Sequence, residues 1–218
     1  GETSRDMFER AAELSNPNDI IIRMDCDDTH EPKYMLDMIK KIDEGFDVVI
    51  ASRFQPGGGQ HGLDGYRKFI SRCANIFMKI FFPIKGVWEY SCGYRAYRAS
   101  IIQDALKIYG NDFISLKGLG FTCTLEKLVV LRNMKARFAE VPFELHYEQK
   151  LSPSKMLSSI TTLGYLVLAL KYIYPWGPIE KERRKLAQLL YERRIYQENY
   201  NNENNGVTLN YVRHLRQA

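Results

Sequence analysis

Apolar residues along the chain switch between two periods, and the switches mark its elements. Met7, Phe8, Ala11 and Leu14 recur at helical spacing within Thr3 to Leu14, and the turn-forming run Asn16-Pro17-Asn18-Asp19 ends that pattern. Ile20 to Met24 is then almost continuously apolar, as in a strand buried on both faces, and it runs into the acidic cluster Asp25-Cys26-Asp27-Asp28. Pro32 to Ile42 reads as a helix with Pro in its first turn, Gly45 closes it, and Phe46 to Ala51 reads as a second buried strand. This alternation predicts an α/β fold with a mostly parallel sheet and flanking helices, in which ligands gather at the carboxyl ends of the strands.

Gly65 to Phe82 reads as a longer helix that buries Phe69, Cys73, Ile76, Phe77 and Ile80 and leaves Arg67, Ser71 and Asn75 as a polar stripe. Helices near Ser100 to Tyr109 and Phe121 to Met134 precede a strand expected over Arg137 to Phe143. After Pro153 the pattern changes: the fifteen residues from Met156 to Leu170 carry no charge, and Met156, Leu157, Ile160, Leu163, Leu166, Val167 and Leu170 make a broad apolar face. Spanning a bilayer takes about 20 residues, so this segment is too short to cross one. Its aromatic flanks (Tyr165, Tyr172, Tyr174, Trp176) and the basic run from Lys171 to Arg194 favour an amphipathic helix at a membrane interface over ordinary core. From Glu180 onward eight Lys or Arg stand against five Glu, and the Asn-rich NYNNENN suggests a loose linker. The expected organisation is an α/β domain over 1–152, an interfacial helix over 153–178 and a basic helical, Asn-rich tail over 179–218.

Composition narrows the class. With 45% apolar and 26% charged residues, the chain is neither wholly disordered nor collagenous nor a multi-span membrane protein. The opening GETSRDMFERAAEL has no apolar leader, and the four cysteines stand far apart without a CxxC pair, so a reduced, cytoplasmic setting is expected. A net charge of +5 suits an anionic partner such as a phosphate or a membrane surface and does not call for nucleic acid.

Candidate chemistry begins at the first strand's end. Asp25 and Asp27, two apart on extended backbone, point to one side at roughly 7 Å and can share Mg²⁺ or Mn²⁺ with substrate phosphates. Alone, such a pair is more often a solvated turn. The second strand runs into Ser52-Arg53-Phe54 and the triple glycine Gly57 to Gly59, which reads either as an anion cradle or as a mobile loop. Arg53 suits a phosphate clamp, or else caps a carbonyl or pairs with Asp47. His30 is open between phosphate contact and a structural role, and His61 and His146 read as structural.

DCDDTHEP, ASRF followed by GGG, RKFISRCAN, EYSCGYRAYR, GFTCTLE, and EVPFELHY with SPSK occur in an order and spacing that resembles the family 2 glycosyltransferases, most closely the polyprenol-phosphate sugar transferases. The resemblance covers about Asp19 to Leu170. It implies a GT-A-like fold over 1–152, a nucleotide-sugar donor, Mg²⁺ or Mn²⁺, and a polyprenyl phosphate acceptor met by a peripheral protein at the cytosolic membrane face. It also implies metal binding by Asp25, Asp27 and Thr29, and catalytic roles for Asp27, Arg53 and Arg67. Substrate contacts would come from Asp25, Asp27, Arg53, Arg67, Ser71 and Lys155, and Glu126 matches a further family position. The departures are Glu89 where the family has Asp, Ala51 for Gly, Gln149 where Arg is common and Ser152 for a loop Gly; Lys150 is a substitute cation in that last loop. The family's donor-binding strands lie upstream, whereas 24 residues precede Asp25 here, so the domain is expected to be N-terminally incomplete and to bind donor poorly.

A phosphomonoester with its second pKa near 6 is largely ionised at neutral pH, so transfer to it needs no strong general base. Alignment of two anionic reactants carries the burden instead, with Arg67 and Ser71 one helical turn apart as a clamp. Transfer to a glycan or protein hydroxyl, which would need a carboxylate base, and an inactive membrane-docked module are the competing readings.

Overall fold

The computed structural model describes residues 2–27, 29–119, 122–149, 158–173 and 178–217. Helix α1 (Glu2–Leu14) leads into strand β1 (Ile20–Arg23), then α2 (Met35–Asp43) into β2 (Val48–Ser52), as the alternation predicts. A short strand β3 (Gly59–His61) precedes α3 (Gly65–Phe81). Strand β4 (Arg95–Arg98), helices α4 (Ala99–Tyr109) and α5 (Thr122–Asn133), and strands β5 (Phe138–Pro142) and β6 (Glu144–His146) follow. Helices α6 (Ser158–Ile173) and α7 (Pro178–Gln217) complete the described elements.

The main sheet has the order β1-β4-β2-β5. β2 and β5 pair in parallel, and β4 runs antiparallel to both β1 and β2, so three of the four strands share one direction. Strands β3 and β6 pair separately in parallel. Every residue of β2 is buried, because Val48 and Ile50 face one core while Val49 and Ala51 face the other. The thicker core lies under α1, α3, α4, α5 and α6 and includes Phe8, Tyr97, Ile102, Leu128 and Leu168. The thinner one sits beneath α2, around Met38, Ile42, Tyr94 and Phe143. Gly164 lets α6 close on α5, since a Cβ there would meet Thr122 Oγ1 at 1.9 Å.

Three expectations need correction. Ile20 to Met24 is not buried on both faces: β1 is an edge strand among the described residues, and only Ile21 is fully buried. In α3 the buried residues are Ala74, Asn75 and Met78, while Phe69, Cys73, Ile76 and Ile80 are exposed, so the helix is turned about its axis from the orientation its apolar spacing suggested. And α7 runs as helix through the Asn-rich stretch read as a linker. That helix is strapped to the domain: Ala187 is buried, Arg183 pairs with Asp112 at 2.6 Å, and Arg194 pairs with Asp47 at 3.1 Å. Part of the basic segment therefore binds protein carboxylates rather than facing outward.

Candidate active site

A cavity of about 210 Å³ opens where β1 and β2 end and β4 begins. Because β4 runs against its neighbours, the segment entering it (Ser91, Cys92, Gly93) reaches the same end of the sheet as the segments leaving β1 and β2. Asp25, Asp27, Thr29, Arg53, Arg67 and Ser71 all line this one cavity, with Leu145 and Tyr147 closing it from the β6 side. Lys155, like Lys150 and Ser152, lies outside the described residues.

On the acidic wall each carboxylate is held by a neighbour. Arg23 Nη2 donates to Asp25 Oδ1 at 2.8 Å, and the guanidinium fits only because residue 93 is Gly, where a Cβ would stand 1.6 Å from Nη1. The buried Thr29 donates its hydroxyl to Asp27 Oδ1 at 2.6 Å. His30 is structural as well as cavity-lining: its Nδ1 accepts from the Asp25 N–H at 2.9 Å and its ring stacks on Tyr94. That bond places the ring proton on Nε2. Burial lowers the His30 pKa, and the opposing charges of Asp25 and Asp27 do not reverse it, so the ring is neutral at pH 7. Two carboxylates and a hydroxyl suit a hard divalent cation that takes its remaining ligands from phosphates and water. Among the described residues no three His, Cys, Asp or Glu converge on one point, so the protein alone does not form a full cage.

The opposite wall is a buried ion pair. Arg53 donates through Nε to Glu89 Oε2 at 2.7 Å and through Nη2 to Glu89 Oε1 at 2.9 Å, not to Asp47. Burial works against both charges, yet each partner's field and hydrogen bonds outweigh it, holding the Arg53 pKa above and the Glu89 pKa below their ordinary values. Arg53 Nη2 also reaches Ser71 Oγ at 3.1 Å and Ser91 Oγ at 2.7 Å, which fixes the Ser71 hydroxyl in the cavity. Asn75 completes the lattice: Nδ2 donates to the Ser71 carbonyl at 2.9 Å and Oδ1 accepts from the Tyr90 N–H at 2.6 Å. The polar stripe of α3 thus faces inward because the cavity wall it meets is polar.

Arg67 stands at the rim. Asp64 caps α3 by accepting from the Arg67 N–H at 2.9 Å, and its carboxylate also lies 3.1 Å from Arg67 Nε. Arg67 Nη1 donates to the Tyr147 hydroxyl and the guanidinium lies over that ring. The triple glycine does not cradle an anion with all its amides: Gly58 N–H donates to the Gln55 carbonyl and Gly59 N–H to that of Phe143.

This cavity, with paired carboxylates on one wall and Arg and Ser on the other, coincides with a family match. Residues 11–106 match the model of glycosyl transferase family 2. The chain carries a family 2 glycosyltransferase domain. Among curated relatives, an undecaprenyl-phosphate mannosyltransferase from Micrococcus luteus is 31% identical over 147 residues, which is 67% of this chain and 57% of the relative. A polyprenol monophosphomannose synthase from Mycolicibacterium smegmatis is 28% identical over 140 residues, 64% of this chain and 50% of the relative. The chain spans about half the length of the curated relatives it matches.

Sequence reasoning missed several residues of this glycosyltransferase domain. In the sequence Glu89 stands out only as a departure from the family, yet it is the counter-charge of Arg53. Arg23, Ser91 and Tyr147 gave no signal beyond a charge or hydroxyl near a motif. Glu126 falls away from the cavity: fully buried, it accepts from the Ser115 and Leu116 amides at 2.9 Å each and from the Tyr172 hydroxyl, tying α5 to α6.

Proposed function

We propose that the chain transfers a mannosyl group from a nucleotide-sugar to a polyprenyl phosphate at a membrane surface, with inversion at the anomeric carbon. The observation that carries this reading is that Asp25 and Asp27 share one cavity with Arg67 and Ser71. The relatives' names supply mannose and the polyprenyl phosphate; the cavity's chemistry agrees with two anionic reactants held side by side. Asp25 and Asp27, with Thr29, would hold the Mg²⁺ or Mn²⁺ that neutralises a leaving diphosphate. Arg67 is the clamp for the acceptor phosphate, since its carboxylate partner Asp64 is exposed and a phosphate offers a better bidentate match. Ser71 adds a hydroxyl already oriented by Arg53. The acceptor's own dianion is the nucleophile, so the neutral His30 has no proton to remove.

A surface on the far side of α3 supports the membrane part. Phe69, Ile76 and Ile80 of α3 and Ile160, Leu163, Leu166 and Leu170 of α6 are all exposed. The two helices meet along a cleft lined by Ile70, Phe77, Tyr165 and Leu166, so their apolar faces adjoin. Contiguous exposed apolar surface marks a contact with another phase or partner. No helix among the described residues is long and apolar enough to cross a membrane.

The test is incubation with labelled GDP-mannose, Mn²⁺ and polyprenyl phosphate in anionic vesicles. Label is expected in the lipid phase, slowly and at raised donor concentration, in keeping with the poor donor binding that the sequence implies. Arg67→Ala should raise the KM for lipid phosphate about tenfold or more with donor affinity unchanged, as loss of a charged hydrogen bond implies. Asp27→Ala should abolish Mn²⁺-dependent nucleotide binding measured by calorimetry. Transfer of label to a hydroxyl acceptor instead of the lipid phosphate would refute the reading.

A further inference from the structure

Beside the active-site cavity lies a second one of about 230 Å³, lined by Phe54, Arg72, Asn75, Ile76, Lys79 and Trp88. We infer that it holds the first isoprene units of the acceptor lipid, an assignment that rests on the polyprenyl phosphate reading above.

The lining is carbon with a cationic rim. Phe54, Ile76 and Trp88 supply apolar surface, and the charged groups among the lining residues are Arg72 and Lys79, with no carboxylate. Lys79 is drawn over the Trp88 ring. Asn75 adds little polarity, because its amide is already committed to Ser71, Ser91 and Tyr90. An apolar groove rimmed by cations fits an amphiphile with an anionic head. A nucleotide base would instead find few hydrogen-bonding groups to match its edges. The volume is also below that of a drug-sized pocket, which suits a short piece of chain.

Position links the groove to the phosphate clamp. Phe54 follows Arg53, and the Arg53 guanidinium carbon lies 5.4 Å from the Phe54 ring centroid, so that ring stands between the two cavities. Ser71 lines the inner cavity while Arg72 and Ile76 line the outer one, on adjacent faces of α3. Asn75 is the shared wall: it bonds Ser91, which accepts from Arg53. From the groove, exposed Ile76 and Ile80 continue the apolar path along the helix. A lipid with its phosphate on Arg67 and Ser71 would leave the cavity past Phe54, rest its first carbons against Ile76 and Trp88, and continue toward the bilayer.

Trp88 provides the readout in the full chain carrying Trp176→Phe, which leaves it as the only tryptophan. Titration with prenyl phosphates of increasing length (geranyl, farnesyl, geranylgeranyl) and with inorganic phosphate should blue-shift its emission for the prenyl compounds only. Affinity should climb by about fourfold for each methylene that enters the groove and then level off when it is full. Ile76→Asp, at an exposed position that does not threaten folding, and Phe54→Ala should each weaken farnesyl phosphate binding about tenfold and leave inorganic phosphate binding unchanged. If farnesyl phosphate binds and is weakened by Arg67→Ala, but ignores Ile76→Asp and Phe54→Ala and leaves Trp88 emission unmoved, the groove assignment fails while the acceptor reading stands. If no prenyl phosphate binds the folded protein, the acceptor reading itself fails and the groove assignment with it.

Discussion

Helix α4 turns its apolar residues inward: Ala99, Ile101, Ile102, Ala105 and Tyr109 are buried against the sheet, and Lys107 faces water. Helix α3, with an equally regular apolar spacing, buries Ala74 and Met78 but hides Asn75 beside them and leaves Phe69, Ile76 and Ile80 60% exposed or more. The period of a helix tells which residues share a face; it does not tell which face meets the core. What decides is the neighbour. The core face that α4 covers is apolar, whereas α3 covers a wall built from Arg53, Glu89 and Ser91, and only its polar stripe can satisfy those groups. The stripe of Phe69, Ile76 and Ile80 is left outside, where lipid is the partner proposed.

The strongest way to break this comparison is to remove the charge that α3 packs over. Glu89→Ala would strand Arg53 in a site where its side chain is 8% exposed, at an expected cost of about 3–5 kcal/mol in urea denaturation. A loss below 1 kcal/mol would mean that the inner wall does not organise the site.

A second contrast concerns a polar group buried without a cavity. Lys127 of α5 is 1% exposed, lies over the Phe8 ring and, among the described residues, donates to Ser4 Oγ at 3.3 Å. Burial, with Arg95 and Arg23 nearby, lowers its pKa to about 7. Between about pH 7 and 10.5 the unfolded chain therefore binds more protons than the folded one, so stability should rise with pH across that window. The Cys92 thiol and the Tyr90, Tyr94, Tyr109, Tyr165 and Tyr172 hydroxyls have raised pKa values and act oppositely, the thiol from about pH 8 and the tyrosines above about pH 9, which makes about pH 7 to 8 the clean range. Lys127→Met is expected to stabilise the fold at pH 7 by roughly 2–4 kcal/mol and to flatten the pH dependence in that range. A persistent rise in the variant would assign it to another group.

The two helices themselves give the next test. Ile102→Ala in α4, at a fully buried position, should cost about 2–4 kcal/mol, whereas Ile80→Ala in α3, 68% exposed, should change stability by less than about 0.5 kcal/mol. Comparable losses would restore the orientation that apolar spacing alone suggested.

Much of this architecture was legible in advance, for identifiable reasons. Continuous apolar runs ending in Asp25 and in Arg53 gave β1, β2 and the end of the sheet where the cavity opens. Strand β4 was illegible because it reads Arg95-Ala96-Tyr97-Arg98, and a buried Arg looks like a surface residue until its carbonyl partners at Thr124 and Tyr90 are seen. Strands β3 and β6, three residues each, are too short to carry a period. The Arg53–Glu89 pair joins positions 36 apart in sequence, and no local pattern announces it. Family likeness located Asp25, Asp27, Arg67 and Ser71 but could not foretell that Arg53 would be committed to a buried carboxylate.

The central claim, that one face of α3 serves the phosphate site while the other meets lipid, is open to a single measurement. A spin label at Ile80→Cys, in a chain with the exposed Cys26 and Cys73 changed to Ser, can be read by EPR power saturation with oxygen and with a water-soluble nickel complex. On adding anionic vesicles, oxygen accessibility should rise and nickel accessibility fall, while the same label on the exposed Lys107 of α4 keeps its aqueous values. A label at residue 80 that stays as accessible to nickel with vesicles as without them would contradict the account.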